Sequence, residues 1–248
     1  MRIFAGEPSG WKELEEQVAR IFRDMGFAAE LQRCIETVRG VVEVDVLAMS
    51  QNLKPRQVYL CECKYWRKRV PKTVVHSFRT VVNDFGANFG IIISRAGFQK
   101  GAEAAAHKTN VLLLDWAEFE EMFYEEWWEA VTDELDKSGL PLRDYTDFLD
   151  SQMLRCRSDL AEQRKAQHDA LQKAYHGIAM MTSRLFMTTF FVPRFPYRLP
   201  VPDESRTGHI ETTCDSPFEL IEALNRFCRQ GIAEFDGLFG MPARKKRD

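Results

Sequence analysis

The chain has 248 residues, of which 45% are hydrophobic, 29% charged and 12% aromatic. A hydrophobic fraction of this size is ordinary for a folded protein, and it excludes a chain that is disordered throughout. The formal net charge is −3, from 34 Lys and Arg against 37 Asp and Glu, and this figure alone argues against a nucleic-acid partner.

Alternating helix and strand patterns fill the first half of the chain. Apolar residues at helical spacing predict a helix that begins after Ser9 and ends at Gly26. The patterns that follow predict strands at 27–33, 41–48, 57–64, 89–94 and 111–114, and helices at 72–84 and 98–108. The last two strands are apolar throughout, which is typical of strands that are buried on both faces. Together the patterns predict an α/β fold with a mixed sheet core in the order αβββαβ, covered by helices on both faces.

The second half of the chain has a different character. Residues 116–135 are acidic and aromatic with helical spacing, and Gly139 and Pro141 predict that this helix breaks there. From 145 to 191 the sequence is again mostly helical. A proline-rich stretch in extended backbone follows, and a last helix is predicted over 217–235.

Positive and negative charge are concentrated in different segments. Residues 54–72 contain seven basic residues and one acidic residue, whereas residues 115–150 contain 13 acidic and two basic residues. Four of the basic residues, here called the basic cluster, follow the third predicted strand directly: Arg67, Lys68, Arg69 and Lys72. Such a cluster binds phosphates in a salt-sensitive and sequence-independent manner, and a solvated loop is the alternative.

A small set of ionisable residues lies on two consecutive predicted strands. Side chains alternate along a strand, so Glu62 and Lys64 lie on one face of their strand while Cys61 and Cys63 lie on the other. Asp45 lies on the preceding strand, and hairpin pairing would bring it close to Glu62. Two carboxylates and a backbone carbonyl are hard oxygen ligands that suit Mg²⁺, and a lysine beside the metal can orient or deprotonate water. A plain ion pair on the strand and a salt-bridged aspartate are the alternatives.

The motifs in this order resemble the PD-(D/E)XK nuclease superfamily and, within it, the Mrr-like restriction endonuclease domain. The resemblance covers about residues 9–120. Four motifs carry it, namely the helix from Trp11 with its terminal Gly26-Phe27, the strand from Gly40 to Asp45, the Glu62-Cys63-Lys64 element, and Ile91 to Ser94 with Gly97-Phe98. Many Mrr-like domains have Gln in place of Glu62. At this position the chain differs from those domains and matches the general superfamily pattern. We expect a restriction-endonuclease-like nuclease domain over residues 1–120 and a mostly helical region of unknown role over 121–248.

The resemblance also implies roles for individual residues. Asp45 and Glu62 would bind the metal ion, and Lys64 would be the catalytic lysine. An acid on the first helix reaches the metal in some family members, and Glu15 is the matching residue, with a solvated helix face as the alternative. The basic cluster would bind the DNA backbone. The implied metal is Mg²⁺, with Mn²⁺ as a substitute.

The activity implied by the resemblance is that of a metal-dependent DNA endonuclease that hydrolyses phosphodiester bonds, of the restriction or phage-defence type. Two alternatives remain open. One is a nuclease-like module that binds DNA or serves as an adaptor without cutting, and the other is a junction-resolving or repair nuclease. DNA is the expected partner and no membrane is expected. A homodimer, and a regulatory protein bound through the C-terminal region, are further hypotheses.

The cysteine pattern and the apolar stretches indicate a compartment. The six cysteines lack the dense spacing of a disulfide scaffold, and the first residues lack the apolar run of a signal peptide, so we expect a reduced, cytoplasmic protein. Cys61 and Cys63 are expected to be small core residues rather than zinc ligands. The apolar stretch 178–192 is interrupted by Arg184 and is too short to span a membrane. The basic run 244–247 is either a nucleic-acid-binding tail or a solubilising terminus.

Overall fold

The computed structural model describes residues 2–52, 54–147 and 157–240. The basic run 244–247 lies outside these residues. No helix in the described ranges combines the length and the apolar composition that crossing a membrane requires.

The first of two compact units, mainly residues 6–130, alternates helices and strands as predicted. Its elements in chain order are α1 (Trp11–Asp24), β1 (Phe27–Thr37), β2 (Gly40–Ser50), β3 (Val58–Lys64), α2 (Lys72–Phe85), β4 (Phe89–Ser94), α3 (Lys100–Ala106), β5 (Val111–Leu114) and the first half of α4 (Trp116–Thr146). The predicted α/β class and the αβββαβ order are confirmed. The second unit comprises Ile3–Ala5 and the residues from 131 onward, so the boundary between the units lies within α4.

A five-stranded mixed sheet in the order β1-β2-β3-β4-β5 forms the centre of the first unit. The pairs β1–β2 and β2–β3 are antiparallel, whereas β3–β4 and β4–β5 are parallel. The pairing of β2 with β3 runs from Met49 to Val46 of β2 and ends where Val46 lies opposite Cys61. The pairing of β3 with β4 continues further along β3, as far as Lys64. The antiparallel strands therefore separate beyond Val46 and leave a gap beside the end of β3.

Helices cover both faces of the sheet. Alternate residues of β3 point to opposite faces, so this strand packs against helices on each side. On one face, Leu60 packs in a buried cluster with Phe78 of α2. On the other face, the ring of Tyr59 lies 5.2 Å from that of Phe22 in α1 and 6.0 Å from that of Phe123 in α4. Burial of each such side chain contributes about 1.5–3 kcal/mol. These contacts fix α2 against the sheet, beside the end of β3.

The second unit is mostly helical, as predicted for the C-terminal region. It contains the second half of α4, α5 (Glu162–Met181), a π-helical segment (Phe186–Phe190), β6 (Tyr197–Pro202), β7 (His209–Cys214) and α6 (Pro217–Phe239). The start of α6 follows the usual rules for a helix N-terminus. Ser216 is the N-cap and accepts a hydrogen bond from the N–H of Glu219 at 3.2 Å, and Pro217 occupies a position whose N–H has no helical partner.

The predicted helix break at Gly139 and Pro141 is wrong, because α4 continues through both residues. Gly139 is required for packing, since a Cβ atom at this position would lie 2.2 Å from Oγ1 of Thr182. Pro141 has no N–H and leaves a carbonyl in the preceding turn without its helical partner. That carbonyl belongs to Lys137, and Arg143 donates a hydrogen bond to the carbonyl just before it, that of Asp136, at 2.8 Å.

The proline-rich stretch forms a strand of a two-stranded antiparallel sheet, which the sequence pattern did not indicate. Pro200 and Pro202 of β6 lie opposite Glu211 and His209 of β7. Each strand of a two-stranded sheet has one open edge, and the N–H groups of alternate residues point to the same edge. Prolines two residues apart can therefore both direct the missing N–H to the open edge without disturbing the pairing.

Candidate active site

Glu62 and Lys64 lie at the end of β3, on the side of the sheet that α2 covers. Nζ of Lys64 donates a hydrogen bond to Oε1 of Glu62, and the side chains of Lys64 and Glu62 are only 16% and 21% exposed, respectively. Nζ also lies 5.3 Å from the centre of the Trp66 indole. The structure thus brings these two predicted site residues together as a partly buried ion pair.

Asp45 lies on β2 at the point where this strand separates from β3. Its Oδ2 accepts a hydrogen bond from the backbone N–H of Cys63 at 2.6 Å. The carboxylate takes the role that a backbone carbonyl has in a regular ladder. Asp45 is therefore tied to the middle residue of the Glu62-Cys63-Lys64 element.

Glu15 of α1 is buried, with 6% of its surface exposed, and does not lie on a solvated helix face. Burial is the main reason why its pKa is raised to about 7, and the negative charge of Asp45 adds to this effect. The side-chain amide of Gln32 donates a hydrogen bond to Oε2 of Glu15 at 3.4 Å, which lowers the pKa. Glu15 is thus close enough to Asp45 for the two charges to interact.

Gln32 is a residue of this site that the sequence pattern did not indicate. It lies in β1 with φ 47°, a left-handed backbone conformation that is uncommon for a residue with a side chain. The ladder pairs on either side place it opposite Asp45. Such a conformation costs on the order of 1–3 kcal/mol. Pairing of β1 with β2 on both sides of this position therefore holds Gln32 in a strained conformation from which its amide contacts Glu15.

Besides burial, the negative charge of Asp45 raises the pKa of two neighbouring carboxyl groups, those of Glu62 and Glu15. Burial raises the pKa of Glu62, the charge of Asp45 raises it further, and the hydrogen bond and charge of Lys64 oppose both effects. Glu62 in turn contributes to the raised pKa of Glu15. A divalent cation among these groups would relieve their repulsion, because an added positive charge favours the ionised carboxylates.

The oxygen donors of this site suit a hard divalent cation. Within residues 2–52, 54–147 and 157–240, no three His, Cys, Asp or Glu side chains are grouped as a complete metal site. Mg²⁺ does not require such a group, because one or two carboxylates hold it while water and substrate phosphate fill the other positions. Asp45 and Glu62 could supply these two carboxylates, so the residues present fit the metal that the sequence motif implies.

Cys61 and Cys63 lie in the protein core. Both are buried and form no disulfide. Burial is the main reason why the pKa of each thiol is raised, and the charge of Asp45 adds to this effect. The two side chains are therefore protonated thiols at neutral pH, whereas zinc is bound by thiolates.

The basic cluster lies between the ion pair and α2. Its four side chains are exposed, three of them in the loop that follows β3 and the fourth on the first residue of α2. The N-terminus of α2 adds partial positive charge at this position. The cluster thus presents cationic groups to solvent immediately after the Glu62-Cys63-Lys64 element in the chain.

A cleft opens between the end of β3 and α2. Its volume is about 370 Å³, and its lining on the sheet side comprises Val42, Glu43, Glu62, Lys64 and Trp66. The ion pair of β3 is therefore accessible to a ligand from this cleft.

Comparison with known proteins identifies this unit. Residues 8–123 match the family model Mrr_cat, which is described as a restriction endonuclease. This segment is an Mrr-like restriction endonuclease domain. Among solved structures, the crystal structure of the protein of unknown function AF1548 is similar to this chain, with 19% identity, a TM-score of 0.39, and coverage of 66% of this chain and 97% of that chain. No curated protein matches the chain.

The Mrr-like domain contains all the residues to which the sequence motif assigns a role. They are Glu15, Asp45, Glu62, Lys64 and the basic cluster. A restriction endonuclease domain acts on DNA, and PD-(D/E)XK nucleases generally use divalent metal ions. The family thus supports a nuclease, and the geometry at the end of β3 suggests which residues act.

Proposed function

We propose that this protein is a metal-dependent DNA endonuclease that hydrolyses phosphodiester bonds with Asp45, Glu62 and Lys64. The observation that carries the proposal is the hydrogen bond from the N–H of Cys63 to Asp45. Cys63 lies between Glu62 and Lys64, so this bond connects Asp45 to the strand segment that bears both residues. Partly buried carboxylates cost stability. A catalytic role accounts for that cost better than a plain surface ion pair, which contributes about 0–1 kcal/mol.

In this proposal the side chains divide the work of the reaction. A bound Mg²⁺ or Mn²⁺ would polarise the phosphate and lower the pKa of water. Asp45 and Glu62 would hold the cation, with Glu15 as a third acid close enough to interact with the charge of Asp45. Nζ of Lys64 orients the attacking water and stabilises negative charge on the phosphate oxygens. A bond forms between the water oxygen and phosphorus, the bond to O3′ breaks, and a net proton transfer from water to O3′ leaves a 5′-phosphate and a 3′-hydroxyl.

The basic cluster binds the DNA backbone in this proposal, and the role of the enzyme is restriction or defence against foreign DNA. The match to the restriction endonuclease family supports this assignment. We assign the nuclease activity to residues 1–120, which contain all the proposed site residues.

Plasmid cleavage tests the site directly. Supercoiled plasmid is incubated with wild-type protein, with Asp45→Asn and Glu62→Gln, and with Asp144→Asn as a control on an exposed aspartate of α4. Wild type and the control should cut with Mg²⁺ and not with EDTA, and the two site variants should be slower by at least about 100-fold. Equal cutting by the site variants would contradict the assignment. DNA binding without cleavage under any divalent metal would favour a non-cutting DNA-binding module.

A further inference from the structure

We infer that the cleft between β3 and α2 binds one nucleobase of the substrate strand, unstacked from its neighbours, beside the phosphodiester that is cut. This inference rests on the proposed nuclease function and narrows its substrate class. It implies DNA that is single-stranded or locally unpaired at the cut site.

The α2 wall of the cleft suits a flat heteroaromatic ring. Val74, Phe78 and Val81 give this wall an apolar surface, and Thr73 and Ser77, one helical turn apart, add hydroxyl groups. A phosphate gains nothing from an apolar wall, whereas a base has two apolar faces and a polar edge. The volume of about 370 Å³ lies in the range of small-molecule sites.

Trp66 supplies a stacking surface on the sheet side of the cleft. Its side chain is 42% exposed, although indole is a large aromatic group that proteins usually bury to a high degree. The ammonium group of Lys64 lies 5.3 Å from the centre of the ring and makes a cation–π contact with it. Aromatic side chains in this position bind bases without sequence preference, because every base has a π-face.

The position of the cleft determines which base can enter it. Glu62 and Lys64 line the same cleft, so a base bound there belongs to a nucleotide next to the phosphate at the ion pair. In a duplex that base is stacked and paired, and its extrusion costs free energy, whereas an unpaired base costs least. The cleft therefore favours unpaired DNA over a complete duplex.

Binding measurements on three matched DNAs test this inference. A fluorescein-labelled strand of 20 nucleotides is used alone, in a complete duplex, and in a duplex with four central nucleotides unpaired. Affinities of the full-length protein are measured by anisotropy with Ca²⁺ in place of Mg²⁺, so that binding is separated from cutting. The variants are Trp66→Ala and Trp66→Phe. Trp11→Ala is the matched control, because Trp11 is 47% exposed, lies beside Lys12 and does not line the cleft.

Wild type should bind both unpaired DNAs at least about fivefold more tightly than the complete duplex. Trp66→Ala should lose at least about fivefold in affinity for the unpaired DNAs, the loss expected for one stacked base, while Trp66→Phe and Trp11→Ala should bind like wild type. Equal binding of the three DNAs by wild type, an unchanged Trp66→Ala variant, or equal losses in both Trp66 variants would each overturn the inference. Cleavage with Mg²⁺ is scored separately. Wild type that cuts none of the three DNAs refutes the nuclease function, while the binding comparison still decides the base site.

Discussion

Replacement of Glu15 by Gln should stabilise the metal-free protein, and the gain should increase with pH. Glu15 is 6% exposed, and its pKa is about 7 in the folded protein against an ordinary value of 4.5. Because the pKa is raised on folding, the native state holds the proton more tightly than the unfolded state does. The free energy of unfolding therefore falls as the pH rises from about 4.5 to about 7. The difference between the two pKa values corresponds to an upper limit of about 3 kcal/mol.

Urea unfolding in EDTA at pH 5, 6, 7 and 8 measures this effect. All five tryptophans lie in the first unit, so their fluorescence reports on the unit that contains Glu15. The variant and wild type should differ by less than about 1 kcal/mol at pH 5, and the variant should be more stable by about 2–3 kcal/mol at pH 8. Comparison at the same pH cancels the titrating groups that do not interact with Glu15. Glu16→Gln, on the exposed neighbour, should show no such trend. A difference for Glu15→Gln that does not change with pH would refute the reasoning.

Three further outcomes are expected. Replacement of the whole basic cluster by Gln should reduce the slope of log K for DNA binding against log[salt] by about 0.9 for each phosphate that the cluster neutralises. The reduction should be the same for DNAs of different sequence. An unchanged slope in anisotropy titrations would show that the cluster does not bind the DNA backbone. Gly139→Ala should destabilise the protein by about 1–3 kcal/mol in thermal unfolding, because the new Cβ atom would clash with Thr182 and this outweighs the better helix propensity of Ala. Gly177→Ala is the control, since a Cβ atom there has no neighbour within 4 Å, and it should stabilise the protein by up to about 1 kcal/mol. Gln32→Leu removes the hydrogen bond that lowers the pKa of Glu15. In the same urea series, the free energy of unfolding of this variant should therefore continue to fall up to a higher pH than that of wild type. The same dependence on pH as in wild type would contradict the effect of Gln32 on Glu15.

The element order of the first unit can be predicted because its central strands carry strong local patterns. Ile91, Ile92 and Ile93 of β4 are all fully buried, as expected for a continuous apolar run in a sheet that is covered on both faces. The pairing of Glu62 with Lys64 follows from the alternation of side chains along one strand. These features depend on residues that are neighbours in the chain.

Other features of the site depend on contacts between distant segments. Gln32 is compatible with an ordinary strand, and its left-handed conformation occurs within the pairing of β1 with β2, at the position opposite Asp45. The separation of β2 from β3 beyond Val46 has no sequence pattern of its own. Glycine in a helical pattern is typical of a helix break, and only the position of Thr182 shows that Gly139 leaves space for a neighbouring side chain. Local propensity cannot reveal these contacts, since tertiary packing overrides it.

The single-turnover rate of Lys64→Met tests the central claim most directly. Labelled DNA is bound to excess protein in Ca²⁺, cleavage is started with excess Mg²⁺, and Lys137→Met, on an exposed lysine of α4, is the matched control. The account predicts that Lys64→Met binds DNA with nearly the affinity of wild type but cuts at least about 100-fold more slowly, while the control cuts at the rate of wild type. Cleavage by Lys64→Met at the wild-type rate would contradict the assignment of the active site to the end of β3.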